Sequence, residues 1–368
     1  MIKRTDHSRL GHWWWTVDRW LLAAFGLLIV CGTMLIAAAS PANAERLGMP
    51  SFYFVTKHLF YLVPSLFLMV GISTLNHLQI RRLAVVAFLG SLAALAATFV
   101  VGIDLNGAKR WISLAGVSVQ PSEFVKPSFA VVAAWLFAAK HRDPQFPGTF
   151  ICLGLWGLTL ALLLLQPDLG MAVVLSGVMA AQFFMAGLPI SVVAGLVSLL
   201  VGGLFVIYLT FPHVTSRIDR FLDPEAGDTY QVDRALQAFQ NGGLFGTGPG
   251  QGEIKRVLPD AHADFIFAVA GEEFGALLTI GLIGIYAFII TRGLWRARQT
   301  DQLFPMLAAG GLLVQFGGQA LIHMGSSLHL LPAKGMTLPF VSYGGSSLLA
   351  IGMATGMLLG LTRKNERV

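Results

Sequence analysis

The sequence predicts an all-α polytopic membrane protein with about ten transmembrane helices. Hydrophobic residues make up 55% of the 368-residue chain, and charged residues make up only 12%. A soluble domain normally carries about 25% charged residues. Runs of about 20 apolar residues, the length needed to cross the hydrocarbon layer, recur from one end to the other. Such a chain cannot bury all its nonpolar surface in one water-soluble core, so a soluble fold is excluded.

The lengths of the apolar runs and the positions of proline divide the chain into spans. The predicted spans are 18–40, 56–76, 82–102, 121–140, 149–166, 168–187, 189–210, 263–292, 302–325 and 338–362. Breaks fall at Pro167 and Pro189, because proline removes a backbone donor and interrupts a continuous helix. The predicted organisation is an N-terminal segment, 1–17, a transmembrane domain, 18–362, and a C-terminal tail, 363–368.

Basic residues near the ends of the spans predict the orientation of the protein. With the N-terminus inside, one side holds 14 of the 25 basic residues but only five of the 19 acidic ones. Both termini are therefore expected in the cytoplasm, and the long loop 211–262 between spans seven and eight outside it. The segment HWWWTVDRW, residues 12–20, then lies where an interfacial aromatic belt is expected. The net charge of +6 reflects this distribution and does not indicate a nucleic-acid partner.

The segment LPDAHADFIFAVAGEEFG, residues 258–275, holds several ionisable groups at the start of an apolar run. A carboxylate in lipid is costly, so such residues usually face a cavity or a partner. Asp264 lies at the mouth of span eight, and we interpret it as a reactive carboxylate; an acid that stabilises the helix N-terminus is the alternative. Glu272 and Glu273 are expected to bind neighbouring helices. The spacing of His262 and Asp264 matches no zinc signature.

Cations and a glycine-rich segment on the same side could bind an anion. Lys109 and Arg110 adjoin a tryptophan in the loop between spans three and four, which suits a phosphate group or ordinary headgroup anchoring. Arg217 and Arg220 are three residues apart in the long outer loop. The glycines of Gly242–Gly252 could present successive backbone amides to an anion.

Three further charged residues are predicted to have structural roles. Glu123 and Lys126 are three residues apart near the start of span four, so they can pair on one helix face. Asp168 follows the proline between spans five and six, where a helix-capping acid is expected.

Several long motifs resemble, in order and spacing, the signature segments of the SEDS family (shape, elongation, division and sporulation proteins). The motifs are NGAKRWISLAGVSVQPSEFVKP, QPDLG, HADFIFAVAGEEFG and LPFVSYGGSS. The resemblance covers nearly the whole chain. The segment LPAKGMTLPFVSYGGSS is similar to the division branch, because the elongation branch usually has another residue where Thr337 stands.

The resemblance implies an inverting glycosyltransferase that polymerises lipid II into peptidoglycan strands. A single displacement of undecaprenyl pyrophosphate needs one base, and the essential aspartate of the family falls on Asp264. The candidates for stabilising the leaving pyrophosphate are four cations, Lys109, Arg110, Arg217 and Arg220. A divalent cation, Mg²⁺ or Mn²⁺, could bind the pyrophosphate, although the sequence shows no metal cage. Two residues depart from the family pattern, Ala263 in place of Thr and His323 in place of Asn.

The resemblance also implies partners and a place of action. A class B penicillin-binding protein, the septal transpeptidase, would work with the polymerase within the wider divisome, at the septum in the bacterial inner membrane. Spans eight and nine, which include QFGGQ, are the predicted contact surface for that protein. Three alternatives stay open at this point: a lipid II flippase, an elongation-type polymerase, and a scaffold that only recruits division proteins.

Overall fold

The computed structural model describes residues 8–105, 108–114, 116–187, 230–332 and 335–364, with isolated positions between 191 and 221. Within these residues, seven helices are long and apolar enough to cross a membrane, and two shorter apolar helices accompany them. This confirms the predicted all-α polytopic class. The seventh predicted span, 189–210, lies largely outside the described residues.

The described elements are twelve helices and three short strands. The helices are α1 (Arg9–Thr16), α2 (Arg19–Arg46), α3 (Tyr53–Ser73), α4 (His77–Val101), α5 (Pro121–Arg142), α6 (Gly148–Leu165), α7 (Leu169–Met185), α8 (Tyr230–Gly242), α9 (Ile254–Val257), α10 (Ile266–Ala297), α11 (Leu303–Ser327) and α12 (Gly345–Leu361). The strands are β1 (Ile103–Leu105), β2 (Ala108–Leu114) and β3 (Val117–Val119).

Two predicted spans differ in form from the observed helices. The tenth span was expected to begin at residue 338, but α12 begins at Gly345 because the preceding residues turn, with Phe340 at a φ of 62°. The eighth span was expected to be continuous, but α10 is broken at Gly275, which has a φ of 74°. A Cβ atom at Gly275 would also lie 2.4 Å from the Leu244 carbonyl oxygen. Glycine therefore permits both the break and the close approach of the outer loop.

The loop between α4 and α5 folds into a small sheet that the sequence did not predict. Its strands pair antiparallel in the order β1-β2-β3, with Asp104 opposite Lys109 and Ile112 opposite Val119. Successive side chains of a strand point to opposite faces. Arg110 and Trp111 therefore lie on different faces of this sheet.

Helices α5 and α11 form the centre of the bundle, because most of their residues are buried whereas α3, α4 and α6 each leave one face exposed. Gln182 of α7 connects these central helices. Its side-chain amide donates to the carbonyl oxygens of Ala130 in α5, at 2.7 Å, and Leu307 in α11, at 3.1 Å. A polar side chain with hydrogen-bonded partners can thus be buried at 0% exposure.

The N-terminal aromatic segment forms α1, which packs onto the end of α3. The indole nitrogen of Trp13 donates to Ser73 Oγ at 2.8 Å, and Trp13 is buried. Trp20, at the start of α2, is 66% exposed. The tryptophans are therefore divided between anchoring α1 and facing the surroundings of the protein.

Helices α3 and α12 pack closely at Gly352, which gives a first test of the fold. A Cβ atom there would lie 2.4 Å from Ser65 Oγ and 2.5 Å from the Ser65 carbonyl oxygen. We expect Gly352→Ala to lower the free energy of unfolding by about 1–3 kcal/mol, the usual cost of overpacking. Unfolding in detergent measures this cost. The control, Gly90→Ala in α4, has nothing within 4 Å and should be neutral or slightly stabilising; equal destabilisation by both would contradict the packing.

Candidate active site

A polar cavity lies at the predicted extracytoplasmic end of the helices, with a volume of about 450 Å³. It is bounded by α3, the small sheet, the start of α5 and the loops that precede α10 and α12. The lining residues are Lys57, Tyr61, Trp111, Gly116, Ser118, Gln120, Glu123, Asp260, His262, Ala263, Asp264, Gly335, Thr337, Tyr343, Gly344, Gly345, Ser346 and Ser347. The cavity therefore brings together residues from three of the four sequence motifs.

Asp264 lies in the wall of this cavity, partly exposed, in the turn before α10. Its backbone N–H donates to the Asp260 carbonyl oxygen at 2.9 Å, which closes the turn. Asp260 has a φ of 49°, a left-handed conformation that aspartate tolerates better than most residues. The turn thus presents Asp264 at the end of the helix rather than inside the bilayer.

The loop before α12 holds this turn from the other side. The Tyr343 N–H donates to the His262 carbonyl oxygen at 3.0 Å, and Ser342 Oγ donates to the Ala263 carbonyl oxygen at 2.7 Å. A Cβ atom at Gly335 would lie 3.2 Å from Asp264 Oδ2. The backbone of both loops therefore positions the carboxylate without a side chain crowding it at residue 335.

His262 is an aromatic support for the turn. Its ring lies 4.0 Å from the ring of Phe54 and 5.2 Å from that of Tyr343, measured between centroids. The residue is only 7% exposed. Burial lowers the pKa of His262 to about 4, so the imidazole is neutral at neutral pH.

His262 should make the stability of the protein depend on pH. Its folded-state pKa lies below the ordinary value of 6.5, so the unfolded chain binds more protons at intermediate pH and stability falls as pH drops from about 6.5 towards 4. The loss attributable to His262 should approach about 3 kcal/mol. Unfolding curves of wild type and His262→Phe across this range measure it. Parallel pH profiles for the two proteins would contradict the assignment.

A buried polar chain lies directly beneath the cavity. Glu123 Oε2 and Lys126 Nζ form an ion pair at 2.8 Å, and both side chains are less than 5% exposed. Lys126 Nζ also donates to Gln319 Oε1 at 2.9 Å, and Gln319 donates to the Thr337 carbonyl oxygen at 2.9 Å. Thr337 Oγ1 lies 2.6 Å from Ser347 Oγ. The chain connects α5 and α11 to the loop that faces Asp264.

The two glutamates of α10 bind the outer loop and do not line the cavity. Glu272 Oε1 accepts the backbone N–H groups of Glu253 and Ile254, both at 2.8 Å, and Oε2 accepts that of Lys255 at 3.1 Å. Asn241 Nδ2 donates to the same carboxylate at 3.2 Å. Glu272 therefore accepts the backbone N–H groups at the start of α9, which have no acceptor within that helix.

Glu273 forms a second anchor between the same helix and the loop. Its carboxylate pairs with Lys255 Nζ and accepts the Gly250 N–H at 3.1 Å. Lys255 Nζ donates in turn to the Ala38 carbonyl oxygen of α2 at 2.9 Å. The pair thus links α10, α9 and α2 at the outer surface.

The glycine-rich segment Gly242–Gly252 suits an anion-binding nest by its sequence, but the amides that the structure describes donate to groups of the protein itself. The Gly248 N–H donates to the Glu273 carbonyl oxygen at 3.0 Å, and the Gly250 N–H to its carboxylate. Gly246 has a φ of 82°, and a Cβ atom there would lie 2.2 Å from the same carbonyl oxygen. The glycines permit the loop to pack onto the backbone of α10.

The predicted cations Lys109 and Arg110 do not line the cavity that contains Asp264. Arg110 donates from Nε to the Gln166 carbonyl oxygen at 3.0 Å and from Nη2 to that of Pro167 at 2.6 Å. It therefore supports the break between α6 and α7, while Trp111 on the opposite face of β2 lines the cavity. Lys109 is exposed on β2 and is not in the cavity wall.

Asp168, the predicted helix cap, lies at the start of α7. Asp168 caps α7 by accepting the Met171 N–H at 3.3 Å, and its other oxygen accepts from Gln120 Nε2 at 3.3 Å. Arg217 and Arg220 lie outside the described residues.

Lys57 and Tyr61 are cavity residues that the sequence analysis missed. They lie four residues apart on α3, and therefore on one face of that helix. A lysine and a tyrosine at this spacing, near the outer end of an otherwise apolar span, could have predicted that this helix face lines a polar cavity. Lys57 supplies a cation in the same cavity as Asp264.

The donors of a divalent metal are scattered in the part of the chain that the structure describes. Those residues contain no group of three or more His, Cys, Asp or Glu side chains that could hold an ion. The cavity carboxylates, Glu123, Asp260 and Asp264, do not form a protein cage for Mg²⁺ or Mn²⁺.

The fold and site define a multi-pass α-helical membrane protein with a carboxylate in a polar cavity at the outer end of its helices. The model of the FtsW, RodA and SpoVE family, described as "Cell cycle protein", matches residues 18–367. The chain belongs to this family, the SEDS family, and to its FtsW branch.

Relatives match along nearly the whole chain. A protein of Caulobacter vibrioides, "Probable peptidoglycan glycosyltransferase FtsW", is 46% identical over 362 residues, which cover 98% of this chain and 93% of the relative. A protein of the same name from Coxiella burnetii is 35% identical over 367 residues, which cover 96% of this chain and 98% of the relative. Both names place a glycosyltransferase activity in this branch.

Two solved structures share the fold. One is a structure described as "Structural coordination of polymerization and crosslinking by a peptidoglycan synthase complex". Its matching chain has a TM-score of 0.78 and 27% identity, and the match covers 94% of this chain and 97% of the other. The Rod shape determining protein RodA of Thermus thermophilus has a TM-score of 0.70, 27% identity and coverage of 94% and 96%. Both likenesses support the polytopic arrangement of the helices.

Proposed function

We propose that this protein is a peptidoglycan glycosyltransferase that polymerises lipid II into glycan strands. The observation that carries the proposal is the position of Asp264 in a polar cavity at the outer surface. Asp264 also belongs to the motif HADF, which resembles the family motif that contains the essential aspartate. The names of the relatives, "Probable peptidoglycan glycosyltransferase FtsW", support the same activity.

The proposed reaction is a single displacement with inversion at the anomeric carbon of the donor. The acceptor sugar hydroxyl attacks that carbon as its proton passes to the Asp264 carboxylate, which acts as general base. The new β-glycosidic bond forms while the bond to undecaprenyl pyrophosphate breaks, and the electron pair leaves with the pyrophosphate. Partial exposure of Asp264 suits this role, because the carboxylate must meet a substrate hydroxyl at the surface of the membrane.

Positive charge near the cavity would stabilise the leaving pyrophosphate. Lys57 lines the cavity itself, and Lys109 lies exposed on the adjoining sheet. Arg110 lies on the opposite face of β2 and donates to carbonyl oxygens at the α6–α7 break, whereas Arg217 and Arg220 stay candidates from the sequence. A divalent cation, Mg²⁺ or Mn²⁺, would reach the site bound to the phosphates of the substrate, which would supply its ligands.

The proposed partner is a class B penicillin-binding protein that crosslinks the new strand. The similar fold in a structure of a "peptidoglycan synthase complex", which coordinates polymerization and crosslinking, supports such an assembly. The FtsW names of the relatives favour the septum of a bacterial inner membrane, within the divisome, as the place of action. The proposed contact lies on the exposed face of α10, which includes Leu277 and Ile280. The QFGGQ segment of α11 was also predicted to belong to this surface, but Gln315, Gly317 and Gln319 are buried inside the bundle.

The experiment that tests this function supplies labelled lipid II to the purified protein with its transpeptidase partner. Glycan products are separated by length, and movement of lipid II across liposomes is measured in parallel. A ladder of long strands would establish the polymerase. Transfer of lipid II between leaflets without any polymer would establish a flippase, and neither activity, with normal recruitment of division proteins, would establish a scaffold.

A further inference from the structure

A second polar cavity, of about 350 Å³, lies at the opposite end of the helices. It is formed by the start of α2, the end of α10 and the chain that follows α12. Among the residues that the structure describes, its charged lining residues are four cations and one acid, namely Arg19, Arg292, Arg296, Lys364 and Asp18. Basic residues predict that this end faces the cytoplasm, so the cavity is separated from Asp264 by the length of α10.

Both carboxylate oxygens of the acid, Asp18, are bound by groups of the protein itself. The Asp18 side chain is completely buried, and its Oδ1 accepts the N–H groups of Trp20, at 3.0 Å, and Leu21, at 3.1 Å. Its Oδ2 accepts from Arg292 Nε at 3.0 Å, Arg292 Nη2 at 2.9 Å and Arg296 Nε. Burial raises the pKa of Asp18, but the two guanidinium groups and the Leu21 N–H together lower it below its ordinary value. Asp18 is therefore ionised and neutralises one of the four cations.

The arginines keep donors beyond those that bind Asp18. Each guanidinium has five N–H donors. Arg292 uses Nε and Nη2 on Asp18, and Arg296 uses Nε on Asp18 and Nη1 on Gln299 at 3.5 Å. Among the described residues, the remaining N–H groups have no recorded protein acceptor, although both arginines border the cavity. The cavity therefore offers positive charge together with hydrogen-bond donors.

Aromatic rings hold two of these cations without neutralising them. The guanidinium carbon of Arg19 lies 4.6 Å from the centroid of the Trp15 ring, and that of Arg292 lies 4.5 Å from that of Trp295. Trp20 and Trp295 are 66% and 49% exposed. Exposed tryptophans of this kind are typical of the membrane–water interface. The cavity is thus at the depth of lipid headgroups.

An apolar stripe runs from the cavity along α2. Leu27, Val30 and Met34 are between 50% and 55% exposed, and their spacing from Trp20 places them on one helix face. The stripe suits the acyl chains of a lipid whose headgroup occupies the cavity. A free anion such as phosphate has no apolar part that would contact this surface.

We propose that this cavity binds the phosphate headgroup of an anionic phospholipid, of the phosphatidylglycerol or cardiolipin class, from the cytoplasmic leaflet. Guanidinium groups donate in pairs to phosphate oxygens, and basic pockets on the cytoplasmic side of helical bundles suit anionic headgroups. A zwitterionic lipid would bring its own ammonium group close to three uncompensated cations. The assignment is independent of the polymerase activity.

Native mass spectrometry of the purified full-length protein tests this site with phosphatidylglycerol, cardiolipin and phosphatidylcholine as probes. The test variant is the pair Arg19→Gln and Lys364→Gln, which leaves the buried contacts of Asp18 intact. The matched control is the pair Arg82→Gln and Lys140→Gln, which removes the same charge on the same side but does not line the cavity. We expect the test pair to weaken phosphatidylglycerol or cardiolipin binding roughly tenfold or more, with the control close to wild type.

Three results would overturn the proposal. Equal weakening by both pairs would indicate a general effect of surface charge. Equal binding of phosphatidylcholine and phosphatidylglycerol by wild type would exclude selection for an anionic headgroup. Displacement of the lipid by inorganic phosphate at the same concentration would assign the cavity to a free anion instead. Thermal unfolding of each variant ensures that binding is compared between folded proteins.

Discussion

Replacing Asp264 with asparagine is expected to lower the rate of glycan polymerisation by about 10²- to 10⁴-fold, the usual contribution of a general base. Asparagine has nearly the same shape but cannot accept the proton of the acceptor hydroxyl. The surrounding turn is held by backbone groups of Asp260, His262 and Ala263, so the fold should survive. The rate is measured from the glycan ladder, and folding from the thermal melting curve.

The matched control for this prediction is Asp260→Asn. Asp260 lines the same cavity and belongs to the same turn, but its backbone carbonyl, not its carboxylate, holds the Asp264 N–H. We expect this variant to keep most of the wild-type rate. Polymerisation by Asp264→Asn at the rate of Asp260→Asn would remove Asp264 as the base, even if the protein remained a polymerase.

The second large effect is expected from Glu272→Ala, which should lower the free energy of unfolding by about 3 kcal/mol or more. The substitution leaves the N–H groups of Glu253, Ile254 and Lys255 without the carboxylate they bind, and hydrogen bonds to a buried charge are among the strongest. Detergent unfolding followed by circular dichroism measures the loss. The outer loop should also become more susceptible to protease.

Glu253→Ala provides the control for Glu272→Ala in the same loop. The Glu253 side chain is exposed, so its removal should change stability by less than about 0.5 kcal/mol. Similar destabilisation by the two variants would mean that Glu272 does not anchor α9. A loss confined to Glu272→Ala would support the anchoring role.

The sequence predicted most of the spans and the position of Asp264 at the end of one of them, because both leave local signals. Apolar runs of this length indicate membrane-spanning helices. An ionisable group at the end of such a run costs free energy unless it faces a cavity or a partner. The chain that connects Lys126 to Gln319 and Thr337 leaves no local signal, since its members lie up to 211 residues apart and meet only after α5 and α11 pack. Only the spacing of Glu123 and Lys126 was visible in advance.

The glycine-rich loop and Arg110 show how a plausible local interpretation can miss a tertiary partner. The amides of Gly248 and Gly250 do meet a carbonyl oxygen and a carboxylate oxygen, but both oxygens belong to Glu273 of the same chain. Arg110 donates to two carbonyl oxygens at a helix break. In both cases the residue type was right for binding an anion or acceptor, and the identity of the acceptor depended on packing that the sequence does not report.

The most direct test of catalysis at the Asp264 cavity is to measure how accessible the cavity is to a thiol reagent while glycan strands are being made. Ser118 is exposed and lines the cavity, so Ser118→Cys can be labelled by an outside thiol reagent once the native Cys31 and Cys152 are replaced by alanine. Ser51→Cys, exposed on the same side, serves as the control. We predict that lipid II slows labelling at residue 118 and leaves residue 51 unchanged while glycan strands form. Undiminished labelling at residue 118 during rapid polymerisation would contradict the assignment of the reaction to this cavity.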